Sequence, residues 1–226
     1  MNEQRTKLYS PYERIWHWLQ AATTVLLLLT GLGVRMPDLF GPIRFDAIVR
    51  VHDVLGFLLL GNSLLGLCYY LASGSIRQHL PERRGFLTAA VAQARYYLYG
   101  MFHGRPHPFR KTAERRLNPL QQATYLVTLN VLVPIQVITG MMIYGGAARW
   151  VDAESLFGGL ATLGAIHAIV AYLLAAFLAT HVYLITTGHT PLANLKAMIF
   201  GYEMLPAADR SVPDPPSAPD SEVSEP

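Results

Sequence analysis

Four long apolar blocks, each almost free of charge, organise the chain. Residues 15–34 contain no Asp, Glu, Lys or Arg, and residues 51–72 contain Asp53 as their only formal charge. Residues 120–144 are uncharged and include Pro134, whose missing N–H predicts a kink in the helix that carries it. Residues 157–187 make an uncharged run of 31, longer than one crossing needs, so its ends should project or tilt. A helix needs about 20 apolar residues to cross the hydrocarbon core of a bilayer, and each block reaches that length. The pattern predicts an all-α membrane protein, a four-helix transmembrane bundle. Past the fourth block, residues 191–202 predict a short interfacial helix with Lys196 on one side. From residue 206 onward Pro, Ser and acidic residues dominate, a composition that cannot bury apolar surface and predicts a disordered tail. The expected division is therefore a bundle over 1–205 and a tail over 206–226, with no internal repeat. No small-residue cleavage site follows the first block, so a removable signal peptide is not expected.

Composition agrees with the pattern. The chain has 226 residues, 52% hydrophobic and 15% charged, against about a quarter charged in ordinary soluble domains. Its net charge is +3, and without the tail, which holds five acids and one Arg, the remainder carries +7. The basic residues flank apolar blocks, which points to membrane orientation and away from nucleic acid. Three lie before the first block, nine between Arg77 and Arg116 and two after the fourth, against four in the first and third connections. By the positive-inside rule both termini and the long second connection are expected to be cytoplasmic, N-in and C-in, in a bacterial inner membrane. Trp16 and Trp18 suit an interfacial aromatic belt at the start of the first span. Cys68 is the only cysteine, so an internal disulfide, a cysteine zinc site, an iron–sulfur cluster and a covalently attached c-type haem are all excluded within this chain.

The histidines carry the chemistry. Of eight, His17, His52, His167 and His181 lie within or at the ends of the spans, where ionisable residues default to a functional reading. His167 and His181 are 14 residues apart, which puts them on one helix face and about 21 Å apart along the axis. With the predicted topology, His17 is level with His181 near the cytoplasmic face, and His52 is level with His167 near the periplasmic face. Two neutral imidazoles facing each other in an apolar bundle suit a bis-histidine haem iron. Zinc usually takes three or four ligands together, and a proton relay would want carboxylates, of which the spans hold only Asp53. Hydrogen bonding of a neutral His across a helix interface is the plainer alternative for any one of them. A haem-free proton-translocating protein and a purely structural membrane anchor remain the rival classes. Gly31 and Gly66 each fall 14 residues after a span histidine. Each should lie on its helix's His face at the depth of the other pair, leaving room for a flat ring or for close helix packing.

These residues carry a resemblance. Arg-Ile-Trp-His-Trp at 14–18, a His opening the second span, Asn-Pro-x-Gln at 118–121 and the two His 14 apart in the fourth span resemble the di-haem b-type cytochrome superfamily. That superfamily includes the cytochrome b subunits of nickel–iron hydrogenase, formate dehydrogenase and thiosulfate reductase, and the likeness covers roughly residues 12–202. The resemblance implies two haem b groups with His17, His52, His167 and His181 as axial ligands. It also implies electron transfer between a periplasmic-side redox partner (a hydrogenase, molybdoenzyme, iron–sulfur or multihaem c protein) and the membrane quinone pool. The chain would then be the cytochrome subunit of a quinone-linked oxidoreductase complex. By the same resemblance a quinone would sit near His181 and Asn118. Asn118 is equally suited to cap the third span, with Pro119 at the first helical position. Thr-Gly-His-Thr-Pro at 187–191 resembles the thiosulfate-reductase-like branch, which leaves the partner open.

Other polar residues carry less. His189, at the cytoplasmic interface, reads as a solvated turn residue or as a contributor to proton uptake by a quinone. His79, His103 and His107 occupy the basic connection and are assigned no chemistry. Arg14 and Arg50 flank ligand ends and suit either haem propionates or lipid headgroups. The basic connection itself is expected to lie on the membrane surface.

Overall fold

A computed structural model describes residues 3–79, 85–105, 108–109, 116–147, 158–188 and 190–206. The expectations for the tail beyond residue 206, for His107 and His189, and for the side chain of His79 lie outside the described residues.

The first span, α1 (Pro11–Arg35), starts where its sequence says it should. The Ser10 side chain accepts from the Glu13 backbone N–H, the Glu13 carboxylate accepts from the Ser10 N–H, and Pro11 occupies the first turn. Such a capping box satisfies two orphan donors that the helix cannot satisfy itself. A short turn at Pro37–Phe40 leads to α2 (Phe45–Ala72). The two helices pack along their length as an antiparallel hairpin. The Trp16 indole donates to the Asn62 carbonyl (2.8 Å), and Asn62 Nδ2 donates to the Trp16 carbonyl (3.2 Å) and to Gln20 Oε1 (2.7 Å). Gly66 leaves space for that indole: a Cβ there would lie 2.3 Å from Trp16 Nε1.

The connection after α2 is partly helical. Its helix α3 (Phe86–Arg95) continues through a π-turn at Tyr96–Gly100 and packs on α4 (Pro119–Val127). Leu87, Val91, Leu98 and Phe102 are strongly exposed along this stretch, an apolar edge next to basic side chains.

The third span is α4, a π-turn at Thr128–Leu132, and α5 (Val133–Ala147). The departure from regular winding sits immediately before Pro134, which lacks the N–H a regular helix would offer to the carbonyl four residues back. Pro134 thus marks the place where the third span departs from regular α-helix. The fourth span, α6 (Gly159–Ile185), packs on α5 to form a second hairpin. Among the described residues, four helices are long and apolar enough to cross a membrane: Pro11–Arg35, Phe45–Ala72, Pro119–Gly146 and Gly159–Ile185. Their outer faces expose Leu26, Leu65, Ile169 and Tyr172, as a lipid-facing bundle requires. The fold is the expected four-helix transmembrane bundle.

One element lies outside the all-α expectation. After the short helix α7 (Ala193–Phe200), strand β2 (Tyr202–Pro206) pairs antiparallel with β1 (Glu3–Lys7), with Lys7 opposite Tyr202. The Leu8 and Tyr9 N–H groups both donate to the Gly201 carbonyl (2.8 and 3.2 Å), and the Arg5 guanidinium lies 4.2 Å from the centre of the Tyr202 ring. This ladder holds residues 3–7 and 202–206 together at one end of the bundle, called here the terminal end.

Candidate haem-ligand site

Each of the four span histidines is half-buried and sits on a different part of the two hairpins. His17 lies in the second turn of α1 and His181 in the last turn of α6, both near the terminal end. Their ring centroids are 6.2 Å apart. His52 of α2 and His167 of α6 lie toward the opposite end, with ring centroids also 6.2 Å apart. The antiparallel topology thus brings His17 near His181 and His52 near His167. Each pair links the α1–α2 hairpin to α6, although neither α1 nor α2 packs closely on α6 through its backbone.

The surroundings of the two pairs differ. At the terminal end the contacts are aromatic: His181 stacks on Phe177 (5.7 Å, 22°) and neighbours Tyr125, while His17 meets the edge of Trp18. At the opposite end they are polar. Thr30 Oγ1 lies 2.9 Å from His52 Nδ1, Thr139 Oγ1 lies 2.9 Å from His167 Nδ1, and Gln136 Nε2 lies 2.9 Å from His167 Nε2. None of Thr30, Thr139 and Gln136 was anticipated from the sequence. The one available signal was that they are among the few polar side chains in otherwise apolar runs.

The glycines divide. Gly31 is at the depth of the His52–His167 pair, as its spacing predicts: a Cβ there would lie 3.4 Å from His52 Cε1. Gly66 also sits at the depth expected, beside the residue preceding His17, but its space is filled by the Trp16 indole. Close helix packing therefore accounts for it. Gly140, not singled out by spacing, faces His167, with a Cβ 3.1 Å from Cε1.

Asn118 is buried and caps α4. Its Oδ1 accepts from the Gln121 N–H (2.9 Å), Gln121 Oε1 accepts from the Asn118 N–H (3.0 Å), and Asn118 Nδ2 donates to the Tyr97 hydroxyl (3.1 Å). Burial pushes the Tyr97 hydroxyl above its ordinary range. Nearby, Arg116 pairs with Glu13 (3.0 Å, both side chains over nine-tenths buried) and donates to the Leu8 carbonyl. Arg14 donates to the Ile199 carbonyl (2.6 Å), and Arg50 pairs with Asp46 (2.8 Å) at the exposed start of α2.

Could these residues hold an iron porphyrin? Two metal–nitrogen bonds of about 2 Å, plus about 1.1 Å from each ring nitrogen to its centroid, put coaxial imidazoles about 6 Å apart. Both observed pairs lie at 6.2 Å. The buried Gln136 Oε1 has no hydrogen-bond partner among the described residues, so polar chemistry beside His167 is incomplete. Among the described residues no group of three or more His, Cys, Asp or Glu converges, and each pair offers two imidazoles. The residues fit the group.

An apolar four-helix bundle with two facing imidazole pairs at two depths suits a membrane cytochrome of the b type. The chain belongs to the prokaryotic cytochrome b561 family, whose sequence model matches residues 8–201. It is also 37% identical over 201 residues to a protein of Escherichia coli (strain K12) named "Putative cytochrome YdhU", covering 88% of this chain and 75% of that one. Membership makes it a membrane haem b electron-transfer protein of a kind that works with redox subunits.

Proposed function

We propose that this protein is a di-haem b cytochrome of a bacterial inner membrane, passing electrons between a periplasmic-side redox subunit and the quinone pool. The observation that carries the reading is the equal 6.2 Å spacing of two histidine pairs at two depths. His17 and His181 would hold one haem, and His52 and His167 the other. When bound, haem b supplies one-electron exchange between ferric and ferrous iron. The protein's part is to hold the imidazoles in line across the two hairpins and to keep water out of an apolar bundle. The excess of Lys and Arg at the terminal end favours a cytoplasmic position for it. Quinone is assigned to that end, near His181, with Asn118 and the Tyr97 hydroxyl as the polar contacts. The partner would be a hydrogenase, molybdoenzyme, iron–sulfur or multihaem c subunit, and the chain is its cytochrome subunit and not an enzyme alone.

A reduced-minus-oxidised spectrum with a pyridine haemochrome assay on the purified full chain tests this, with two b haems per chain expected. His17→Ala and His181→Ala should each remove the same haem, and His52→Ala and His167→Ala the other. Crossed losses would overturn the pairing. A folded, haem-free chain from haem-replete cells would overturn the whole reading and favour proton translocation.

A further inference from the structure

Two Thr-Gly doublets, Thr30–Gly31 in α1 and Thr139–Gly140 in α5, meet His52 and His167 in the same way. Each threonine hydroxyl donates to the carbonyl four residues back, Leu26 (2.8 Å) or Ile135 (2.7 Å). A hydroxyl has one proton and a carbonyl only accepts. With that proton spent, the oxygen 2.9 Å from Nδ1 accepts, so Nδ1 carries the hydrogen in both rings. At His167 a second group agrees: the Gln136 amide nitrogen, a donor only, faces Nε2 at 2.9 Å, so Nε2 holds the lone pair. The adjoining glycine then lies against Cε1, where a Cβ would come within 3.4 Å (Gly31) or 3.1 Å (Gly140). Hydroxyl and bare Cα together grip the Nδ1–Cε1 edge, while Nε2 faces the Gln136 amide in His167 and meets no hydrogen-bond partner among the described residues in His52. Among the described residues no hydrogen bond reaches the rings of His17 or His181, which are oriented by Trp18 and Phe177.

We infer that the two Thr-Gly doublets are matched positioning elements for His52 and His167. They fix both rings in the Nδ1–H form, so that each keeps its lone pair on Nε2 for a shared iron, which would displace the Gln136 amide from His167, and they lower that iron's reduction potential. The inference rests on the haem-ligand reading above. A partner that accepts the Nδ1–H hydrogen bond makes an imidazole a more basic ligand, and a more basic ligand favours ferric over ferrous iron. The other pair, packed by aromatic rings, lacks this control, so one sequence doublet used twice gives the two haems separate settings.

Redox titration of the holoprotein, with haem content measured on the same samples, tests it. Thr30→Val and Thr139→Val keep shape and lose the acceptor. Each is expected to shift one haem, and the same haem, three- to tenfold toward ferrous iron, tenfold being 59 mV for one electron. The other haem should not move, and Thr30→Ser and Thr139→Ser should restore the wild-type potential. Where a valine variant fails to fold, Gly140→Ala and Gly31→Ala serve instead. Both should alter the low-spin ferric EPR signature of that same haem, Gly140→Ala more strongly because its Cβ is closer to the ring. Unchanged potential and EPR in variants that keep both haems would overturn the inference while leaving the ligand reading intact. Retention of both haems by His52→Ala and His167→Ala would instead overturn the ligand reading.

Discussion

Asn118 shows how one side chain can serve structure and site together. Its Oδ1 caps α4 while its Nδ2 holds the Tyr97 hydroxyl, and loss of such a cap costs about 1 kcal/mol. Asn118→Ser retains a capping oxygen and removes the amide donor. If Asn118 contacts quinone, both Asn118→Ala and Asn118→Ser should lower quinol-linked electron transfer about tenfold or more with haem content unchanged. Recovery of turnover in the serine variant, measured with a soluble quinol, would assign Asn118 to capping alone. Gly66 carries a different lesson. Its spacing from His52 predicted its depth correctly, yet the group occupying its space is the Trp16 indole, because a glycine specifies room and says nothing of what fills it.

At the scale of elements, the two hairpins are fastened in different ways. Polar side chains stitch α1 to α2 through Trp16, Gln20, Asn62 and Ser63. The start of α1 is tied to the chain preceding α4 by the buried Arg116–Glu13 pair, and the Arg116 guanidinium also lies 5.3 Å from the centre of the Tyr9 ring. Removing one partner of a buried ion pair strands the other charge, at a cost of about 3–5 kcal/mol. Arg116→Met should therefore destabilise the bundle by about that amount, read by thermal unfolding in detergent. The double variant Arg116→Met/Glu13→Gln should recover most of the loss, since no lone charge is then buried. The helices themselves were legible in advance: hydropathy located all four spans, and Pro134 marked the irregular turn. The helix α3 was not, because its exposed apolar edge is interrupted by charge and has no 20-residue run.

At the scale of the molecule, an even number of spans brings the segments before α1 and after α7 to one side, and the β1–β2 ladder joins them. If the terminal end is cytoplasmic, a single cysteine introduced at Lys7 in a Cys68→Ala background should react with an impermeant maleimide only in inverted membrane vesicles. Deleting 213–226 should leave haem content and melting temperature unchanged, since the family match ends at residue 201 and the ladder at Pro206. Deleting the first seven residues should lower the melting temperature, because β2 then loses its partner. A fall in haem content on tail deletion would instead assign the tail a part in the bundle.

Hydropathy and helical phase are local properties, and they sufficed to specify four membrane helices and to set two histidines on one face of α6. The partners of those histidines were beyond local reach. Thr30 meets His52 across 22 residues, Thr139 meets His167 across 28, and Arg116 meets Glu13 across 103. Such contacts depend on how far each helix is rotated and slid against its neighbour, which packing of the whole bundle decides. The same holds for the two five-residue strands, too short to be visible until the bundle brings their backbones within hydrogen-bonding distance.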